Sequence, residues 1–196
     1  MDNSETLRQG VGRAYSAVAQ APEGDHPFAV GREFAEALGY AAELLADLPA
    51  VTVEAFTGVS NVAVFADLPP GARVLDLGCG SGLDALLAAQ RVGPGGAVVG
   101  IDFSPDMLAR ARQGAATAQL AQARFCLGDA EALPLASQSI DVAMVNGIFN
   151  LNPARQAIFA ELARVVRPGG SVYAAELILR EPLPAADNPS LDDWFA

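Results

Sequence analysis

Val74-Leu75-Asp76-Leu77-Gly78-Cys79-Gly80-Ser81-Gly82 is a short apolar strand running into a glycine-rich turn, with one carboxylate, Asp76, set in the apolar run. Glycines let backbone amides approach a ligand where any Cβ would collide. A second apolar stretch, Ala97 to Ile101, ends at Asp102, the position from which an open α/β sheet grips a ribose. Strand, glycine turn, helix, strand and acid in this order decide the fold class.

Working outward from the turn, apolar strands alternate with amphipathic helices from Ala72 on. Strands are expected at 73–77, 97–101, 123–127, 140–145 and 171–178, and helices at 82–91, 105–119 and 153–166. The helix at 105 is well marked: Ser104 suits the N-cap, Pro105 the first helical position, and Asp106 the positive helix end. This rhythm predicts right-handed βαβ units and a Rossmann-like, doubly wound, mostly parallel α/β sheet with helices on both faces. Pro168-Gly169-Gly170 reads as a helix stop and turn.

The leader before the sheet looks helical. Leu7, Val11, Tyr15 and Val18 recur at helical spacing, as do Phe34, Leu38, Ala41 and Leu45 in a second expected helix that Leu48-Pro49 closes. A breaker-rich loop, 21–27, separates the two, and the stretch 56–61 is expected to be a loop leading to a short helix. Residues 1–66 are therefore expected to form an N-terminal helical cap, and 67–196 the Rossmann-like domain.

A chain of 196 residues, 52% hydrophobic and 18% charged, suffices for one domain with a core and a modest extension. The opening residues lack a basic start and an apolar run, so a cytoplasmic location is the expectation. Cys79 and Cys126 have no paired spacing and are expected to be reduced, small, buried residues. The net charge of −11 repels phosphate backbones and anionic lipids, which argues against nucleic-acid and membrane partners.

The glycine spacing separates two classes of ligand. Dinucleotide sites space their glycines G-x-G-x-x-G under a pyrophosphate, whereas Gly78, Gly80 and Gly82 are spaced G-x-G-x-G. Asp76 before the turn and Asp84 after it repel a pyrophosphate and suit an ammonium group. A ligand with an amino-acid end, a ribose and an adenine satisfies all of these, and S-adenosylmethionine is such a ligand.

Residues 73–179 resemble the catalytic domain of class I S-adenosylmethionine-dependent methyltransferases. The resemblance implies that Asp76, Gly78, Cys79 and Gly80 form the loop at the amino-acid moiety, and that Asp102 accepts hydrogen bonds from the ribose hydroxyls. It further implies that Phe103 and Met107 flank the adenine, that Asp129 and Ala130 meet its amino edge, and that Asn146 lines the methionine and the departing methyl. Read as residues alone, Phe103 and Met107 suit a helix–sheet core equally well, and Asp129 suits a turn.

Gly78 to Asp84, Val92 to Gly96 and Asn146-Gly147-Ile148-Phe149-Asn150-Leu151 are similar to the arsenite methyltransferase-like branch, as are Leu38-Gly39-Tyr40 and the loop around Gly58 and Asn61. Members that methylate arsenic hold it with thiolates, the soft ligands a soft centre requires. This chain has Gly147 where that branch carries a cysteine. The expected acceptor is therefore a small organic molecule, with arsenite as the alternative and a cofactor-binding module without catalysis as a further one. His26, the single histidine, is the natural base candidate but falls in the leader loop. After Leu179 the chain reads Arg-Glu-Pro-Leu-Pro, where class I sheets continue into further strands, so those C-terminal strands are expected to be missing through truncation.

Overall fold

The computed structural model describes residues 3–178. The leader comprises α1 (Asn3–Gln20), α2 (Arg32–Ala37), α3 (Ala42–Ala46), α4 (Ala50–Val53) and α5 (Val62–Phe65). The sheet region follows as β1 (Arg73–Leu77), α6 (Leu83–Val92), β2 (Ala97–Asp102), α7 (Pro105–Thr117), β3 (Ala123–Leu127), β4 (Ile140–Asn146), α8 (Arg155–Val165) and β5 (Val166–Ala175). Every pairing is parallel, in the order β3-β2-β1-β4-β5. The expected Rossmann-like architecture is therefore the observed one, and among the described residues the sheet is wholly parallel.

Alternation along the strands gives each sheet face its own core. Val74, Val98, Val142 and Met144 pack with α6 and with leader residues including Tyr40, Leu45, Val53 and Phe56. Leu75, Leu77, Ile101 and Val145 pack with Ile158 and Leu162 of α8 on the other face. By this alternation Asp76 shares the face of Val74, toward α6 and the leader. Ser104 caps α7 by accepting from the Met107 amide at 3.3 Å.

Two expectations need correction. The second leader helix is split, because α2 ends in a Schellman turn: the Gly39 amide donates to Glu36 at 2.9 Å and the Tyr40 amide to Ala35 at 3.2 Å. Gly39 takes the left-handed conformation this turn requires (φ 93°), and the turn carries Tyr40 into the core. The last strand starts at Val166 rather than 171 and ends at Ala175. Its pairing jumps from Ile140–Val166 to Val142–Ser171, so Pro168-Gly169-Gly170 bulges out within the strand span. The expectation about the chain after Leu179 lies outside the described residues.

Candidate active site

From β1 the chain builds outward through β2 to β3, then returns to lay β4 on the other side of β1. Such a reversal opens a crevice at the carboxyl ends of the strands, and a cavity of about 190 Å³ lies there. Asp76, Gly78, Cys79, Gly80, Asp102, Phe103, Asp129, Ala130 and Asn146 all line it. Met107 does not: it is fully buried among Val18, Ala19 and Ala55. Helical spacing explains this, since Met107, Ala111 and Ala115 form the buried stripe of α7.

The glycine turn is fixed by backbone bonds. The amides of Gly78 and Cys79 donate to the Ile101 carbonyl at 2.8 and 3.1 Å. Gly80 has φ 51°, and a Cβ there would meet nothing within 4 Å, so its open side belongs to the cavity. Asp102 Oδ2 accepts from the Gly80 amide and Oδ1 from the Ser104 amide, each at 2.8 Å. The acid at the tip of β2 thus shapes the turn as well as facing the cavity.

Asp76 is buried, and its Oδ2 has no hydrogen-bond partner. Burial and the charges of Asp84 and Asp102 push its carboxyl well above the usual range, against a hydrogen bond from the Ala85 amide. Asp84, also buried, accepts from the Tyr40 hydroxyl at 2.5 Å, the Ala63 amide at 3.2 Å and Asn146 Nδ2 at 2.9 Å. Burial raises its pKa, and these donors oppose the rise.

Asn146 has a different part from the one expected of a cofactor contact. Its Oδ1 accepts from the Val59 and Ser60 amides at 2.9 and 3.1 Å, and its Nδ2 donates to the Ser60 carbonyl at 2.7 Å as well as to Asp84. The amide therefore anchors the loop 57–61 to the end of β4. Asp129, at the opposite end, pairs with Arg8 of α1 at 3.2 Å, and Arg8 also contacts Glu131. The half-exposed Phe103 ring lies under α1, 3.5 Å from where a Gly12 Cβ would stand.

Burial and the charges of Asp102 and Asp76 push the Cys79 thiol well up. Gly147 has φ 84°, and a Cβ added there would come within 2.9 Å of Val59 Cγ1. His26 Nε2 lies 2.8 Å from the Ala21 carbonyl in the leader loop and does not line the cavity. Neither Arg8 nor Tyr40 is singled out as a site residue by the sequence. Their partners lie 121 and 44 residues away, so no local pattern connects them.

Residues 68–195 match the methyltransferase domain family model. The chain belongs to that family. It is a class I S-adenosylmethionine-dependent methyltransferase domain, and the buried, unpartnered Asp76 oxygen, the open side of Gly80 and the Asp102 carboxylate fit that cofactor's ammonium and ribose. The domain is 40% identical over 157 residues to an arsenite methyltransferase of Halobacterium salinarum, covering 80% of this chain and 39% of the relative. It is 38% identical over 128 residues to nocamycin O-methyltransferase of Saccharothrix syringae, covering 65% and 43%. The crystal structure of an arsenic (III) S-adenosylmethionine methyltransferase from Chlamydomonas reinhardtii matches with a TM-score of 0.67 and 34% identity, over 74% of this chain and 50% of that one. The domain spans less than half the length of these curated relatives. Among the described residues, no helix is long and apolar enough to cross a membrane.

Proposed function

We propose that the protein transfers a methyl group from S-adenosylmethionine to a small organic acceptor bound between the strand tips and the leader, with residues 1–66 acting as the cap. One observation carries this reading: a single cavity collects a buried, unpartnered carboxylate oxygen on Asp76, the open side of Gly80 and the acid of Asp102. Bound there, the cofactor supplies a methyl group already activated on a sulfonium.

The work left to the chain is alignment and exclusion of water. Asp76 meets the ammonium and Asp102 the ribose hydroxyls, while Phe103 and Ala130 lie along the adenine and Asp129 serves its amino edge. Val11, Phe56, Ile148 and Leu151 supply apolar walls. Tyr15 also lines the cavity, and burial, with the charges of Asp102 and Glu176, keeps its hydroxyl protonated. It acts as a hydrogen-bond donor to the acceptor rather than as a base.

The relatives' names favour arsenite as a second reading. Three features of the chain favour an organic acceptor instead: Gly147 faces Val59, the Cys79 thiol holds its proton, and Cys126 lies on β3. Release of S-adenosylhomocysteine, measured with arsenite and with a set of small phenols, amines and acids, tests the choice. Turnover is expected with an organic acceptor. Turnover with arsenite alone overturns the acceptor assignment, and failure to bind S-adenosylmethionine overturns the function.

A further inference from the structure

The cavity concentrates acid, and the cation that lines it, Arg8, is paired with Asp129 and Glu131. Asp76, Asp84 and Asp102 are all buried, and among the described residues no cation forms a salt bridge to any of them. Asp102 is compensated by two backbone amides. Asp84 is compensated by Tyr40, Asn146 and the Ala63 amide. Asp76 keeps one oxygen with no partner, and an ionised, partly unpartnered carboxylate buried beside two others is costly.

Tyr40 gives this site somewhere to keep a proton. Its hydroxyl has one hydrogen and two acceptors, Asp84 Oδ1 at 2.5 Å and the Ser60 carbonyl at 3.1 Å. With Asp84 ionised, the hydroxyl donates to Asp84, while Asn146 Nδ2 still satisfies Ser60 at 2.7 Å. With a proton on Asp84 Oδ1, Asp84 donates to the Tyr40 oxygen and Tyr40 turns its hydrogen to Ser60. No heavy atom has to move between the two states.

The geometry points to a proton-for-ammonium exchange: the Asp76–Asp84 pair, with Tyr40 hydrogen-bonded to Asp84, holds one proton in the free protein and releases it to solvent when the cofactor's ammonium group enters. Asp84 is thereby a second binding carboxylate and Tyr40 its positioning residue. At the pair the ammonium's positive charge replaces the proton that leaves, the ligand's α-carboxylate enters with it already ionised, and no other bond forms or breaks. The remaining ionisable groups nearby do not supply the charge. Tyr15 of α1 faces Asp102 and Glu176. Cys79 sits in the turn, with Arg112 of α7 bearing on it from a distance. Arg91 of α6 donates to the carbonyls of Ala63 and Val64, and Arg8 is held by Asp129 and Glu131. Raised carboxyl pKa values at Asp76 and Asp84 agree with the exchange.

This inference rests on the cofactor assignment, and calorimetry separates the two. S-adenosylhomocysteine, which carries the same ammonium, is titrated into the full chain at about pH 7 in buffers of different ionisation enthalpy. Release of about one proton per ligand is expected, with affinity rising as much as tenfold per pH unit over the range where the pair holds its proton. An analogue lacking the amino group is expected to release none. Asp84→Asn is expected to abolish the release, and Tyr40→Phe to shift the pH at which it occurs. Binding without proton release, or equal release with the desamino analogue, overturns the exchange and leaves the cofactor assignment standing. Absence of any binding overturns the cofactor assignment itself.

Discussion

The glycine turn of residues 78–82 and the loop of residues 57–61 face the same cavity and are held by different means. The turn is secured by its own and neighbouring backbone: Gly82 donates to Cys79 at 2.8 Å, and Ile101 accepts from two of the turn's amides. The loop hangs on side chains, chiefly Asn146, which makes three of its hydrogen bonds to residues 86 or 87 positions earlier in the chain, with Tyr40 also reaching the Ser60 carbonyl. Backbone anchoring leaves the turn's side chains free to serve a ligand. Side-chain anchoring makes the loop's position hostage to single substitutions. Changes on the loop side should therefore act first on stability, and changes on the turn side first on binding.

The largest effect is expected from Asn146→Ala, which leaves the Val59 and Ser60 amides and one Asp84 oxygen short of a partner. A loss of about 3 kcal/mol or more in urea unfolding is expected; an unchanged midpoint would break the contrast. Gly147→Ala should cost about 1–3 kcal/mol, because the residue holds φ 84° and the new methyl would press on Val59. The same unfolding measurement checks it.

Asp76→Asn is the opposite case. Cofactor affinity should fall at least about tenfold by calorimetry, while stability at about pH 7 rises. Asp76 and Asp84 have folded-state pKa values above those of the unfolded chain. Their contribution is full at acid pH and is lost as pH rises through the folded values. The unliganded protein should thus unfold at lower urea as pH rises above the ordinary carboxylate range, and the variant should flatten that slope. A wild-type slope of the other sign would remove the argument. The smallest stability effect belongs to Arg8→Ala, under about 1 kcal/mol for a half-exposed ion pair. Its signature is faster dissociation of S-adenosylhomocysteine in stopped flow, since Arg8 ties α1 across the cavity mouth.

The same contrast explains how much was legible in the sequence. Asp76, Gly78, Gly80 and Asp102 lie at or just after the tips of β1 and β2, where local spacing fixes geometry, and they meet in one cavity. The strands and helices of residues 73–165 followed from periodicity for the same reason. The role of Tyr40 comes from the Schellman turn at Gly39 and from Asp84, and neither shows in a helical stripe. Asn146 was placed at the cavity, but its amide is committed to the leader. The resemblance implies Met107 beside the adenine, and the pitch of α7 turns it inward. The bulge at Pro168–Gly170 keeps the breaker chemistry the sequence announced, inside a strand that continues past it.

The contact between Val59 and Gly147 constrains how this site can change. A side chain at 147 meets the Val59 methyl groups and an unfavourable backbone conformation at once. Shrinking Val59 alone opens a void without adding a ligand. Either substitution is disfavoured until the other is present, so the two positions are epistatic. A thiol at 147 is then reached more readily through a paired change, which relieves the clash and leaves the φ of 84° still to bear.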